Sequence, residues 1–386
     1  MTIVEVNDNA SRKEFLEFPV RLYKGEQNWI RPLDKDIEGV FDEKKNKKFR
    51  NGEACRWLLQ DDSGKTIGKV AAFINYKDSK KGDFPVGGMG FFDCIDDQEA
   101  ANKLFDTCKE WLTSKGAEAM DGPINFGDRD QWWGCLVEGF TEPNYRMPYN
   151  FGYYKDLFEG YGFQLYFKQH TYHRHIHEGG LLPIVHEKAD RVLSNNKYEF
   201  KHAKKKDLRK YSDDFTKIYN KAWVKHGVPG ITERQAWAGF KQMKPAIDER
   251  ILYFGYYEDE PIAFFIMIPE MNQVFKHVNG KLDLLGKLKF LYYKPRVEKI
   301  FGVVFGVVPE HQGKGVEAAI VKSFSQIAWD NPKFKYQWIE FNWIGDFNPK
   351  MMRVCENVGG KIHKTHHTYR YLFDPNRPFE RAKIIK

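Results

Sequence analysis

The stretch with the clearest chemical meaning is Val307 to Val321, VVPEHQGKGVEAAIV. An apolar strand ends at Val308, a turn carrying Gly313 and Gly315 follows, and an apolar-periodic helix begins at Val316. Such a turn presents consecutive backbone N–H groups at a helix N-terminus, where the helix dipole adds partial positive charge. Gln312, Gly313, Lys314, Gly315, Val316 and Glu317 would surround an anionic ligand there, usually a phosphate. The spacing is neither GxxxxGK-S/T nor GxGxxG, which disfavours a nucleoside triphosphate and a dinucleotide. Glu317 works against the others. A carboxylate in the first turn suits the dipole, yet it repels a pyrophosphate.

The six residues from Gln312 to Glu317, preceded by Val307-Val308-Pro309, resemble the acyl-CoA pyrophosphate loop of the GNAT N-acyltransferase superfamily, Gln/Arg-x-x-Gly-x-Gly/Ala. Downstream, NPKMMRVCENVGG from Asn348 to Gly360 is similar to that family's asparagine-bearing helix. The resemblance implies acetyl-CoA or another acyl-CoA as co-substrate, no metal, and transfer of the acyl group to an amine. It also implies that the strand ending at Val307 and Val308 splays from its neighbour near Tyr336 to Trp343 and holds the pantetheine arm. A backbone N–H near Val307 would then stabilise the tetrahedral oxyanion. Asn348 is expected beside the cofactor. Cys355 stands where family members often carry the tyrosine that protonates the departing thiolate, and Glu270, at the end of a predicted strand, is the expected base. Two other readings stay open: a catalytically silent acyl-CoA-binding protein, to which Glu317 and the missing tyrosine point, and an aminoacyl-tRNA-dependent peptidyltransferase.

Other residues are candidates on their own chemistry. The aromatic, glycine-hinged segments around Trp132 and Trp133 and around Tyr149, Asn150 and Tyr153 are expected either to line the acceptor pocket or to pack between domains. His173, His175 and His177 share one strand face, but without an evident fourth ligand they are not read as a metal site. The basic run from Lys204 to Lys210 reads as a solvated turn rather than a nucleic-acid surface.

The elements that must position these residues fall into two similar halves. Each half reads strand, helix, hairpin, strand, helix, strand, helix, closing hairpin, and landmarks recur at nearly fixed offsets: Trp29 with Trp223, Gly162-Phe163 with Gly359-Gly360. The expected fold class is α/β with a mixed sheet, in two GNAT-like domains: residues 1–178, a linker 179–197, and 198–386. The closing hairpins are expected at Phe163 to His177 and Lys361 to Phe373. The first half's equivalent turn, Cys94 to Ala100, has no glycine, no basic residue and three acids, so only the second half is expected to bind CoA.

Composition narrows the partners. A net charge of +8 over 386 residues is too dilute to argue for nucleic acid and fits an anionic small molecule equally well. Five cysteines without a CxxC pair exclude a zinc or disulfide framework. No apolar run reaches membrane-span length and no secretory signal opens the sequence, so a cytoplasmic protein acting on a small-molecule or peptide amine is expected.

Overall fold

The computed structural model describes residues 1–129, 131–223 and 230–385. The first half contains β1 (Thr2–Glu5), α1 (Asn9–Leu22), α2 (Asp34–Val40), β2 (Gly52–Gln60), β3 (Thr66–Asn75) and β4 (Val86–Cys94). It continues with α3 (Gln98–Ser114), β5 (Ala119–Gly122), β6 (Cys135–Glu138), α4 (Tyr154–Tyr161) and β7 (Gln164–His175). Helix α5 (Pro183–Leu193) joins it to the second half. That half runs β8 (Tyr198–His202), α6 (Leu208–Trp223), α7 (Glu233–Met243), β9 (Leu252–Tyr257), β10 (Glu260–Pro269), α8 (Asn272–Phe275) and α9 (Leu284–Tyr293). It ends with β11 (Lys299–Val307), α10 (Val316–Asp330), β12 (Trp338–Gly345), α11 (Pro349–Asn357) and β13 (Lys361–Leu372).

Local sequence explains these elements. Asp8 opens α1 by accepting the Ser11 N–H at 2.7 Å, and Ser11 closes the capping box. In α3, Ala100, Ala101, Leu104, Phe105, Cys108 and Leu112 follow helical spacing and all are buried. The alternative strand-like reading of such a segment would bury every second residue instead.

All the strands form a single mixed α/β sheet, ordered β1-β2-β3-β4-β5-β13-β7-β12-β11-β10-β9-β8, with β6 also paired to β13. The expected closing hairpins do not exist. β7 and β13 are each one unbroken strand of 12 residues. Neither contains Gly, Pro, Asn or Asp, so nothing in them turns the chain. Instead each half's last strand enters the other half: β13 pairs with β5, β7 pairs with β12, and the two pair with each other. Two large cores flank this exchange, one per half. Trp29 lies beyond α1 whereas Trp223 ends α6, so that pair of landmarks does not correspond. No described helix is long and apolar enough to cross a membrane.

Candidate functional site

The site begins with a break in the sheet. β11 runs antiparallel to β10, but Ile266 faces Val304 while Met267 faces Gly302, so Val303 is an inserted residue, a β-bulge. On its other side β11 pairs in parallel with β12 from Lys299↔Trp338 to Gly302↔Phe341 and no further. From Val303 onward the two strands part, and their facing main-chain groups lose ladder partners. The first half has the same parting, with β4 and β5 paired only from Val86↔Ala119 to Gly88↔Asp121. There the chain after β5 fills the gap: the Ile124 N–H donates to the Met89 carbonyl at 2.8 Å, and a side chain at Gly90 would strike the Ile124 carbonyl. No backbone hydrogen bond closes the second-half gap in this way among the described residues.

At the far end of β11 lies the glycine turn. Gly313 and Gly315 have φ of 72° and 95°, the left-handed region that favours glycine. Gln312 Nε2 donates to the Val307 carbonyl at 2.8 Å and fastens the turn to the strand end. The N–H groups of Gly313 to Ala318 find no acceptor among the described residues, so the turn is a cluster of free donors at the start of α10. A cavity of about 180 Å³ opens beside it, lined by Gly313, Gly315, Glu317 and Val321 on one side and by Val354 of α11 and its C-cap Val358 on the other. Helix α5 forms the outer wall: a Cβ at Gly315 would sit 2.9 Å from the Lys188 carbonyl oxygen. Glu317, in the first turn of α10, is among the residues that line the cavity. Lys314 is exposed, and Val307, Val308 and Val316 are buried under the turn.

On α11 the two expected cofactor and catalytic residues have structural partners. Asn348 caps the helix, accepting the Met351 N–H at 3.2 Å. Cys355 is 1 % exposed, packed with Tyr172 and Ile344, and burial pushes its thiol up to about 12. A proton held that tightly is a poor match for a departing thiolate.

The opposite sheet face holds a charged cluster that sequence reasoning missed. Glu340 of β12, fully buried, accepts from Asn144 Nδ2 at 2.6 Å and pairs with Lys299 Nζ at 2.9 Å, His173 Nδ1 at 3.3 Å and Lys364 Nζ at 3.6 Å. The hydrogen bond to His173 and the charges of Lys364 and Lys299 hold its carboxyl well below the usual range despite burial. Strand alternation puts Glu340 on the face away from Ile339 and Phe341, one step from the point where β11 and β12 part. His173 lies between the rings of Trp338 and His363, with centroids 4.4 and 4.7 Å away. With Nδ1 turned to Glu340, the ring's Nε2 is the nitrogen that Glu340 does not engage. His363 is tied to Thr141 Oγ1 at 3.0 Å, and burial lowers it to about 4.

Register links this pair to the internal repeat. In the first half Asp121 faces Arg370 across β5 and β13, as Glu340 faces His173 across β12 and β7. Arg370 and His173 are 197 positions apart, the same offset as Gly359 and Gly162. One copy thus holds a bidentate Asp–Arg pair at 2.6 and 2.8 Å, which stays charged throughout. The other holds a Glu–His pair, which can exchange a proton.

The ligand atoms of His173, Glu340 and His363 lie within 4.8 Å of one another, close enough for a metal. The two ammonium groups on the same carboxylate are a poor setting for a cation, and we assign none. Glu270, the expected base, lies close by but is 2 % exposed. Its oxygens accept the N–H groups of Tyr145 at 2.6 Å, Asn272 at 3.1 Å and Gln273 at 3.2 Å, and burial raises its carboxyl. The expected acceptor residues are divided. Trp132, Tyr149 and Asn150 line a first-half cavity of about 110 Å³, Trp133 lines a larger one, and the Tyr153 hydroxyl donates to the Cys94 carbonyl at 2.7 Å.

This architecture matches solved structures. The chain superimposes with a TM-score of 0.53 on a tandem GNAT protein from the clavulanic acid biosynthesis pathway, at 9 % identity, covering 97 % of this chain and 99 % of the other. The chain has a GNAT fold. It also matches the glucosamine N-acetyltransferase region of a fungal multi-domain β-N-acetylglucosaminidase, with a TM-score of 0.54 and 12 % identity over 96 % of this chain; the match spans 38 % of that longer protein. Among sequences, this GNAT-fold chain is 26 % identical to a bacterial ceramide synthase of Caulobacter vibrioides over 382 residues, 96 % of this chain and 97 % of that one. It is 25 % identical to protein YghO of Escherichia coli K12, with 92 % of each chain covered. No family model matches the chain.

Proposed function

We propose that this protein is an N-acyltransferase that moves an acyl group from acyl-CoA to the amine of a long-chain amino alcohol, giving a ceramide-type amide. The observation that carries the reading is the alignment of three features along β11: free N–H donors at Gly313 to Ala318, the parting from β12 at Val303, and the His173–Glu340 pair beside that parting. The donors suit the CoA pyrophosphate, the open strand edges suit the pantetheine amides, and the thioester would then end near Val303. A ceramide is an amide on the nitrogen of a long-chain amino alcohol, so the named Caulobacter relative supports this acceptor class. Use of an acyl-CoA also fits the cytoplasmic setting expected from the sequence.

In this reading His173 Nε2 takes a proton from the acceptor ammonium, with Glu340 holding the ring and stabilising the imidazolium. The freed amine attacks the thioester carbonyl. A main-chain N–H of the open β11 edge receives the oxyanion, an interaction of ~3 kcal/mol when one such donor is lost. The carbon–sulfur bond breaks, the amide nitrogen gives up its remaining extra proton, and the CoA thiolate is protonated from solvent. Glu270 and Cys355 serve as packing and capping groups in this scheme.

The test is an assay of thiol release and amide formation by mass spectrometry, with acetyl- and palmitoyl-CoA against long-chain amino alcohols, polar amines and peptides. Amide formed only with the long-chain bases supports the proposal. Thiol release without amide, or turnover confined to polar amines, removes it.

A further inference from the structure

The excursion between β10 and β11 carries an apolar face turned outward. Along α9, Leu284, Leu285, Leu288, Leu291 and Tyr292 are 78, 60, 57, 67 and 59 % exposed. Their spacing puts them on one side of the helix. The other side anchors it: Gly286 is buried, Phe290 lies against Phe275, Tyr293 stacks on His277 at 3.6 Å, and Lys289 Nζ donates to the His277 carbonyl at 3.0 Å. A water-facing helix has the reverse arrangement. Five apolar side chains in one patch mark a contact surface.

Charge decides what it contacts. Between 281 and 296 the chain has five cations and a single acid, Asp283; Lys289 and Lys294 reach the His277 and Pro245 carbonyls, which leaves Lys281, Lys287 and Arg296 exposed. That acid is consumed as the helix cap, accepting the Gly286 N–H at 2.8 Å. Lys287 is exposed between the leucines, and Arg296 lies over the Tyr292 ring at 3.8 Å. Leucines flanked by cations, on a helix of 10 residues that is too short to span a bilayer, suit the plane of an anionic lipid surface. We propose that α9 docks this protein on anionic membranes, its leucines entering the acyl boundary and its cations meeting lipid phosphates. The docking itself does not rest on the acyl-transfer reading. If that reading also holds, the arrangement has a use: the excursion leaves the sheet at Glu270 and returns at Lys299, both beside Glu340, so a membrane-borne amine would emerge close to His173.

The experiment is co-sedimentation of the full chain with phosphatidylcholine vesicles, with and without about 30 % phosphatidylglycerol. The expected result is binding to the anionic vesicles that weakens with salt. Leu288→Gln/Leu291→Gln should weaken it roughly tenfold or more, and Lys287→Glu should weaken binding to anionic vesicles alone. Circular dichroism and CoA binding by calorimetry should be unchanged in the double variant, so failure of docking and failure of the acyl-CoA site are read separately. Absent vesicle binding, or equal binding by the double variant, overturns the proposal. So does a concentration-dependent dimer in sedimentation velocity that the double variant abolishes, since the face would then belong to a second copy.

Discussion

Glu317 and His173 are the residues on which the proposed chemistry turns, and each makes a separable prediction. Glu317 lines the cavity beside the free N–H donors, where its charge opposes a pyrophosphate. Glu317→Gln should tighten CoA binding roughly threefold in calorimetry, whereas Lys314→Glu should weaken it. His173→Gln keeps the ring's neighbours but removes the proton acceptor, so kcat should fall about a hundredfold with little change in KM or thermal midpoint. Glu340→Gln is a poorer probe, because it leaves Lys299 and Lys364 buried beside a neutral group. A third prediction concerns stability. His366 is 1 % exposed, and burial lowers it from 6.5 to about 3, so it stays neutral in the folded chain. The unfolded chain therefore binds the proton first, and stability should be flat above neutral pH and fall as pH drops from about 6.5 toward 3. His366→Asn should flatten that slope in pH-dependent thermal melts. At this scale the loop was legible because strand, glycine turn and helix adjoin in sequence. His173 was visible only as one of three alternating histidines. Its partner Glu340 is far along the chain and reaches it through the strand exchange, which no local pattern announces.

Elements show a similar division. α6 and α11 lie where apolar spacing put them, and the second-half turn sits between strand and helix as expected. α7 stands outside the expected element order, although Thr232 and Gln235 form a capping box that the sequence itself displays. β6 and α2 have four and seven residues, too few for periodicity to register. The closing segments differ from the expected hairpins because no residue in β7 or β13 can turn the chain, a guide that the sequence itself holds. Helix α5, expected as linker, instead walls the candidate CoA cavity and approaches Gly315 closely. Gly315→Ala therefore meets both a left-handed φ and the Lys188 carbonyl, and should cost about 1–2 kcal/mol in urea unfolding. That makes Lys314→Glu the cleaker-cut binding control of the two, since Lys314 is exposed.

Across the whole molecule the two halves share their middle strands, and the polar cluster is assembled from both: Asn144 and His173 come from the first half, Lys299, Glu340 and Lys364 from the second. A fragment ending at 178, the domain limit suggested by the repeat, lacks β13 and leaves β5 and β7 without their common neighbour. Such a fragment should be insoluble or unfolded by circular dichroism when expressed alone. Pieces 1–182 and 183–386 expressed together should instead give a soluble complex on gel filtration, since every strand then has its partner.

The same exchange sets a timetable for synthesis. The first half has emerged from the ribosome long before β13, the last strand of the chain, is available to fill the slot between β5 and β7. Until β13 emerges, that half must wait with two unpaired strand edges in water, a state prone to wrong pairing. Emergence of β13, rather than completion of the first repeat, is the event that commits this protein to its fold.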